Sequence, residues 1–201
     1  MGGLLIFASL RVCITVSEAT EETQEQRIGV ADRVVVSNPF TVSSNFTQRQ
    51  ILSVPSNPWE KTPYGRPFND RLASNEGPQQ LVNAQTGQNF VIYSAARSDN
   101  RNYCLGQLEL VGNDPMNQQD WRKLNDGCVF YQNPPKETYG VGHASFTTSP
   151  DGGENWIVYH GMKNPVAGWK ARTIRAQRFG WNDDGTPKFP RPGYGPYAKP
   201  R

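Results

Sequence analysis

Three stretches of the chain share one hydrophobic pattern. Gly2–Leu10 (GGLLIFASL), Gly87–Ala96 (GQNFVIYSAA) and Gly153–Met162 (GENWIVYHGM) each pass from a glycine into four consecutive apolar residues ending on an aromatic: Phe7, Tyr93 or Tyr159. Runs this short suit a strand rather than a helix, and their β-branched and aromatic content agrees. A second strand-like run follows each one: RIGVADRVVV (Arg27–Val36), NYCLGQLELVG (Asn102–Gly112) and RTIRAQRFGW (Arg172–Trp181). In the middle run Leu105, Leu108 and Leu110 partly alternate with polar residues, which predicts a strand with one buried face. Turn-forming segments come next, SNPFTVSS, NDPMNQQDW and NDDGTP, and glycine-containing openings, NEGPQQLV and GVGHASFTTS, precede the second and third units.

The repeating unit is therefore an opening strand, an apolar strand, an alternating strand, a turn and an outer strand. Four short antiparallel strands repeated in this way describe a β-propeller blade. Successive units stand roughly 65–85 residues apart, longer than WD40 or kelch periods, so long loops are expected between them. A β-sandwich also gives short strands and turns, but the repeated order favours the propeller. The predicted fold is all-β, a partial propeller of about two full blades plus part of a third. Residues 1–71 read as the remnant of a preceding blade and its connecting loop, 72–187 as two blades, and 188–201 as a Pro/Gly-rich tail. Closed propellers have about four to eight blades, so the pattern predicts an incomplete domain with Met1 inside a blade.

Composition fits this picture. Hydrophobic residues make up 36% of the 201, aromatics 11%, and 19 Gly with 16 Pro imply many turns. The net charge of +3 is spread out, which gives no concentrated basic surface for a nucleic acid. No stretch approaches the ~20 apolar residues of a membrane span. The first residues lack a basic start and meet Arg11 early, a poor signal peptide. Cys13, Cys104 and Cys128 lack metal-ligand spacing. Cys104 and Cys128 either bridge in an oxidising compartment or stay as buried thiols, and the ambiguous count leans toward thiols. The sequon Asn45-Phe46-Thr47 is compatible with secretion.

Candidate chemistry gathers at the openings. Glu76 lies in NEGP at the start of an inner strand, where Pro78 restricts the backbone and can hold a carboxyl group at a fixed angle. Such Asn/Gly/Pro clusters are also ordinary surface turns. His143 in GVGH holds the corresponding place in the next unit, as a cation ligand, a partner of a carboxylate or a structural residue. His160, ending WIVYH, reads as packing or local hydrogen bonding. Arg172 and Arg175 either reach inward to a carboxylate or sugar hydroxyl or face solvent. Trp59, Trp156, Trp169 and Trp181 suit a core or a sugar-stacking platform equally.

Taken in order, NEGPQQL, FVIYSAARS, LGQLEL with its following NDP, YGVGHASF, ENWIVYHG and RTIRAQRFGWNDDGTP resemble glycoside hydrolase family 43, the arabinan- and xylan-trimming enzymes with a five-bladed β-propeller. The resemblance runs nearly continuously from Ser37 to Pro187 and is nearest to arabinofuranosidase or exo-arabinanase-type members. It implies inverting hydrolysis by three carboxyl groups, the general acid lying in an EGP motif that falls on Glu76. Such an acid must keep its proton near neutral pH, which burial or nearby negative charge arranges. It also implies His143 beside a calcium or other cation near the propeller axis, Arg172 reaching the substrate, an oligosaccharide or polysaccharide partner, and no organic cofactor. The family is usually secreted. Its general base and tuning aspartate have no matching motif here, and Asp32 fits neither position. The chain is therefore expected to be inactive or barely active by itself, with a non-catalytic carbohydrate-binding propeller as the alternative. An interaction propeller of the WD40 or kelch kind lacks its repeat signatures.

Overall fold

A computed structural model describes residues 13–17, 27–31, 35–38, 41–43, 49–61, 73–166 and 168–193. Strands β1 (Cys13–Ser17), β2 (Arg27–Ala31) and β5 (Arg49–Ser53) form a three-stranded sheet in the order β1-β2-β5. A separate hairpin pairs β3 (Val35–Asn38) with β4 (Thr41–Ser43). The run RIGVADRVVV thus contributes to two sheets instead of one strand. The GGLLIFASL segment lies outside the described residues, and CITVS, with three consecutive β-branched residues, is the strand paired with β2.

Two four-stranded antiparallel sheets follow. The first is β6 (Asn75–Val82), β7 (Asn89–Ala95), β8 (Cys104–Leu110) and β9 (Trp121–Lys123), in that order. The second is β10 (Tyr139–Thr148), β11 (Asn155–Met162), β12 (Arg172–Trp181) and β13 (Pro187–Lys188). Each is the expected blade, with the fully apolar run as its second strand, so the chain is all-β and a partial propeller.

Burial explains why that second strand is apolar throughout. Phe90 and Ile92 point into a cluster shared with Val141, Ile157, Tyr159 and Phe179 of the second sheet. Val91, Tyr93 and Ala95, on the opposite face of β7, pack with Leu52, Leu108 and Trp121. A strand covered on both faces cannot alternate apolar with polar. The same reason corrects the expectation for β8, where all five residues from Cys104 to Leu108 are buried. Leu105 serves one cluster and Cys104 and Leu108 the other. Each large side chain buried this way contributes about 1.5–3 kcal/mol.

Cys104 and Cys128 are bridged, with Cα atoms 6.0 Å apart, so the leaning toward free thiols is overturned. Tertiary pairing decides it. Leu105 N–H donates to Phe130 O at 2.9 Å and Val129 N–H to Leu105 O at 2.8 Å, laying the loop carrying Cys128 alongside β8. Cysteine counting could not see that register.

Both inner strands are bulged where they begin. The β6–β7 register slips between Glu76 and Gln79, at the Gly77-Pro78 pair, and Gly77 takes φ +54°. The β10–β11 register slips on either side of Gly142, and His143 itself takes φ +51°. Bulges re-aim side chains that a regular ladder would fix. Both sequence candidates sit on one.

Candidate active site

Glu76 is half-buried on β6 and pairs with Ser94 of β7 in the ladder. Its Oε1 accepts a hydrogen bond from the Tyr103 hydroxyl at 2.5 Å. Tyr103 is fully buried. Burial first, and then the Glu76 carboxylate, push its phenol well above its ordinary range, so it remains a donor through physiological pH. With Oε1 occupied as an acceptor, a proton carried by Glu76 belongs on Oε2.

His143 closes over the same turn. A Cβ on Gly77 would lie 2.9 Å from His143 Nδ1, so the imidazole occupies the space that only glycine leaves. The His143 N–H donates to Ser94 Oγ at 2.7 Å, tying the second bulge to the ladder partner of Glu76. The imidazole itself is exposed.

Arg172, the first residue of β12, places its guanidinium 5.6 Å from the centroid of the Tyr103 ring and donates from Nη2 to the Ser98 carbonyl. Its Nε is buried with no hydrogen-bond partner among the described residues. His160 stacks on Tyr103 with ring centroids 5.6 Å apart and planes 3° from parallel. Neither ring nitrogen of His160 has a partner among the described residues. Burial, followed by the charges of Arg172, His143 and Arg175, pushes His160 down to about 3, so the ring is neutral at neutral pH. Glu76 and Arg172 thus meet at Tyr103, and His143 packs over the turn that follows Glu76. Arg175 turns elsewhere: it is buried, and its Nη1 donates to Thr138 Oγ1 at 2.9 Å.

Beneath Glu76 the backbone is pinned by a buried polar network. Asn75, fully buried, donates from Nδ2 to Glu60 Oε1 at 2.9 Å and accepts from Ser53 Oγ at 2.6 Å. Glu60, also fully buried, accepts from the amides of Ser56 and Asn57, each at 2.8 Å, and from the Tyr93 hydroxyl at 3.0 Å. It pairs with Lys123 Nζ at 2.7 Å. Burial would raise the Glu60 carboxyl, but Lys123 and the Asn57 and Ser56 amides outweigh it, and the net direction is down. Glu60 is held as a carboxylate, which fixes the residue preceding Glu76.

Sequence reading missed Tyr103, Ser94 and the Glu60–Lys123 pair. Tyr103 lies 27 residues from Glu76 and Lys123 lies 63 from Glu60, and no local pattern announces contacts of that range. A hydroxyl-bearing aromatic just ahead of a strand whose first five residues are buried was the available hint, since a buried phenol needs a partner. The tryptophans divide. Trp156 is buried at 5% exposure beneath the Arg178 guanidinium, Trp181 packs against Phe90 and Phe179, Trp59 is half-buried, and Trp169 is 63% exposed. Among the described residues no group of three His, Cys, Asp or Glu side chains converges as a metal cage.

The profile of the Glycosyl hydrolases family 43 matches residues 73–187, which contain every residue placed around Tyr103. Alpha-L-arabinofuranosidase B of Pyricularia oryzae is 34% identical over 165 residues, covering 77% of this chain and 30% of that protein. The extracellular exo-alpha-(1->5)-L-arabinofuranosidase of Streptomyces avermitilis is 35% identical over 161 residues, with the same two coverages, 77% and 30%. The chain therefore spans under a third of the length of these curated relatives. In three dimensions it is similar to an alpha-L-arabinofuranosidase from Lactobacillus brevis, with a TM-score of 0.67 at 29% identity, covering 92% of this chain and 57% of that one.

Proposed function

Because the chain belongs to glycoside hydrolase family 43, we propose that it is part of an inverting glycosidase acting on arabinose- or xylose-containing polysaccharides, with Glu76 as general acid. The observation carrying this reading is the bulged inner-strand opening that aims a half-buried Glu76 and occupies its Oε1 with the Tyr103 hydroxyl. A proton carried by Glu76 would then pass from Oε2 to the departing glycosidic oxygen, which would otherwise leave as a poor alkoxide. Inversion needs a second carboxylate across the sugar, about 6.5–9.5 Å from the acid, to activate water. The sequence offers no match for that base or for the carboxylate tuning the acid. The chain by itself is therefore proposed to turn over little or no substrate.

Arg172 is proposed to contact the sugar, since its buried Nε has no partner among the described residues to satisfy it. His143 would face a calcium or other cation at the axis. One exposed imidazole would fill a single place in a largely hydrated shell. An oxidising location outside the cell is supported by the Cys104–Cys128 bridge and by the word extracellular in the name of the Streptomyces relative.

The test is an assay of the purified chain, beside Glu76→Gln, on p-nitrophenyl arabinofuranoside, on the xyloside, and on an unactivated arabino-oligosaccharide whose leaving group requires a proton. Background turnover is expected throughout. Robust turnover lost in Glu76→Gln would keep the acid and refute the inactivity. Robust oligosaccharide cleavage that survives the substitution would refute the acid. The missing base favours a second reading, a fragment that holds sugar without cleaving it, and calorimetric binding without product would support that.

A further inference from the structure

A cleft of about 370 Å³ lies away from Glu76, lined by Trp59, Asn102, Asp126, Cys128, Tyr131 and Gln132. Its size falls within the range of small-ligand sites. We propose that this cleft is an accessory site for a neutral sugar unit, on the same end of the blade as Glu76. Its position follows from the ladder: Asn75 pairs with Ala95 and Ala95 with Cys104, so the three form one row across β6, β7 and β8. Glu76 follows the first of these residues. The disulfide from Cys104 to Cys128 and the neighbouring Asn102 bring the cleft to the other end of that row.

The lining selects the ligand. Tyr131 is 44% exposed, and Arg191 lies 4.2 Å from its ring centroid, steadying the ring without hiding it. The indole N–H of Trp59 donates to Asn125 O at 3.2 Å, which fixes the second aromatic. Two fixed aromatic surfaces suit the C–H faces of a sugar ring. Polar groups are also set in advance: Gln132 Oε1 accepts from Arg101 Nε at 3.1 Å, and Gln132 Nε2 donates to Asn102 Oδ1 at 3.4 Å. Amides held this way can bind hydroxyl groups without first losing side-chain freedom. The lining holds one carboxylate, Asp126, and no lysine or arginine, and the neighbouring Arg101 and Arg191 are engaged with Gln132 and the Tyr131 ring. A phosphate or polyanion would need those cations, so a neutral polyhydroxylated ligand fits best. That this ligand is a stretch of the polysaccharide acted on at Glu76 rests on the function proposed above.

The full chain, labelled with ¹⁵N, would be titrated with arabino- and xylo-oligosaccharides while following the Trp59 indole N–H, with calorimetry for affinity. The Trp59 signal is expected to shift and saturate. Tyr131→Ala, at a position 44% exposed, is expected to weaken binding about tenfold, the scale of one lost ring contact. Gln132→Ala should weaken it as well, and Arg172→Ala should leave it unchanged. A Trp59 signal unmoved at saturating sugar, or an affinity unchanged in Tyr131→Ala, would overturn the proposal. Binding lost in Arg172→Ala but kept in Tyr131→Ala would also overturn it, while supporting the site at Glu76. Tyr131-dependent binding would uphold it even if Glu76 proved to have no role in cleavage.

Discussion

Removing the Glu60 carboxylate should destabilise the fold about as much as emptying a core position of a large apolar side chain. The group is fully buried and receives two backbone amides, the Asn75 amide, the Tyr93 hydroxyl and the Lys123 ammonium. Glu60→Leu strips the partner from Lys123, whose side chain is 16% exposed, and orphans several buried donors. Breaking one side of a buried ion pair costs about 3–5 kcal/mol. Lys123 keeps the Val54 carbonyl at 2.7 Å, which points to the lower end, about 3 kcal/mol. For a chain of this size that is a fall in Tm of about 6–12 °C. Urea unfolding at pH 7, followed by Trp fluorescence, measures it through the midpoint at constant slope. Adding Lys123→Met to Glu60→Leu should recover part of the loss, because an apolar pair replaces an abandoned charge. A loss below about 1 kcal/mol in the single variant would refute the reasoning, as would a double variant less stable than the single.

Acid should reveal the same carboxylate. Its folded-state value lies below the ordinary 4.5, so its contribution is complete above that pH and is lost as the pH falls through the folded value. The urea midpoint of the native chain should therefore drop below about pH 4.5, and Glu60→Gln should flatten that part of the profile. Gly77→Ala forces a side chain into φ +54°, with its Cβ 2.9 Å from His143 Nδ1. It should cost about 1–2 kcal/mol from the backbone and move the His143 ring resonances; unchanged resonances would contradict the packing described. Opening the Cys104–Cys128 bridge, which spans 24 residues of sequence, should lower stability by about 3 kcal/mol. Urea midpoints with and without reductant would show this, and equal midpoints would count against it.

The sequence by itself determined the two four-stranded units, because strand length, apolar runs and turn residues are local properties repeated in order. It also marked Glu76 and His143, since glycine and proline at a strand opening leave a visible trace, whereas Arg172 was singled out from Arg175 only through the family resemblance. What it implied about β8 was wrong: alternation counts polar residues and cannot know that a blade is covered on both faces. The bridge, the Tyr103 hydroxyl on Glu76, the His160 stack and the Glu60–Lys123 pair were decided by tertiary structure. Each joins residues that are distant in the chain, and their meeting depends on strand register and blade packing. The bulges at Gly77 and His143 then set where the side chains point, so the sequence named the carboxyl group while the fold gave it a direction and a partner.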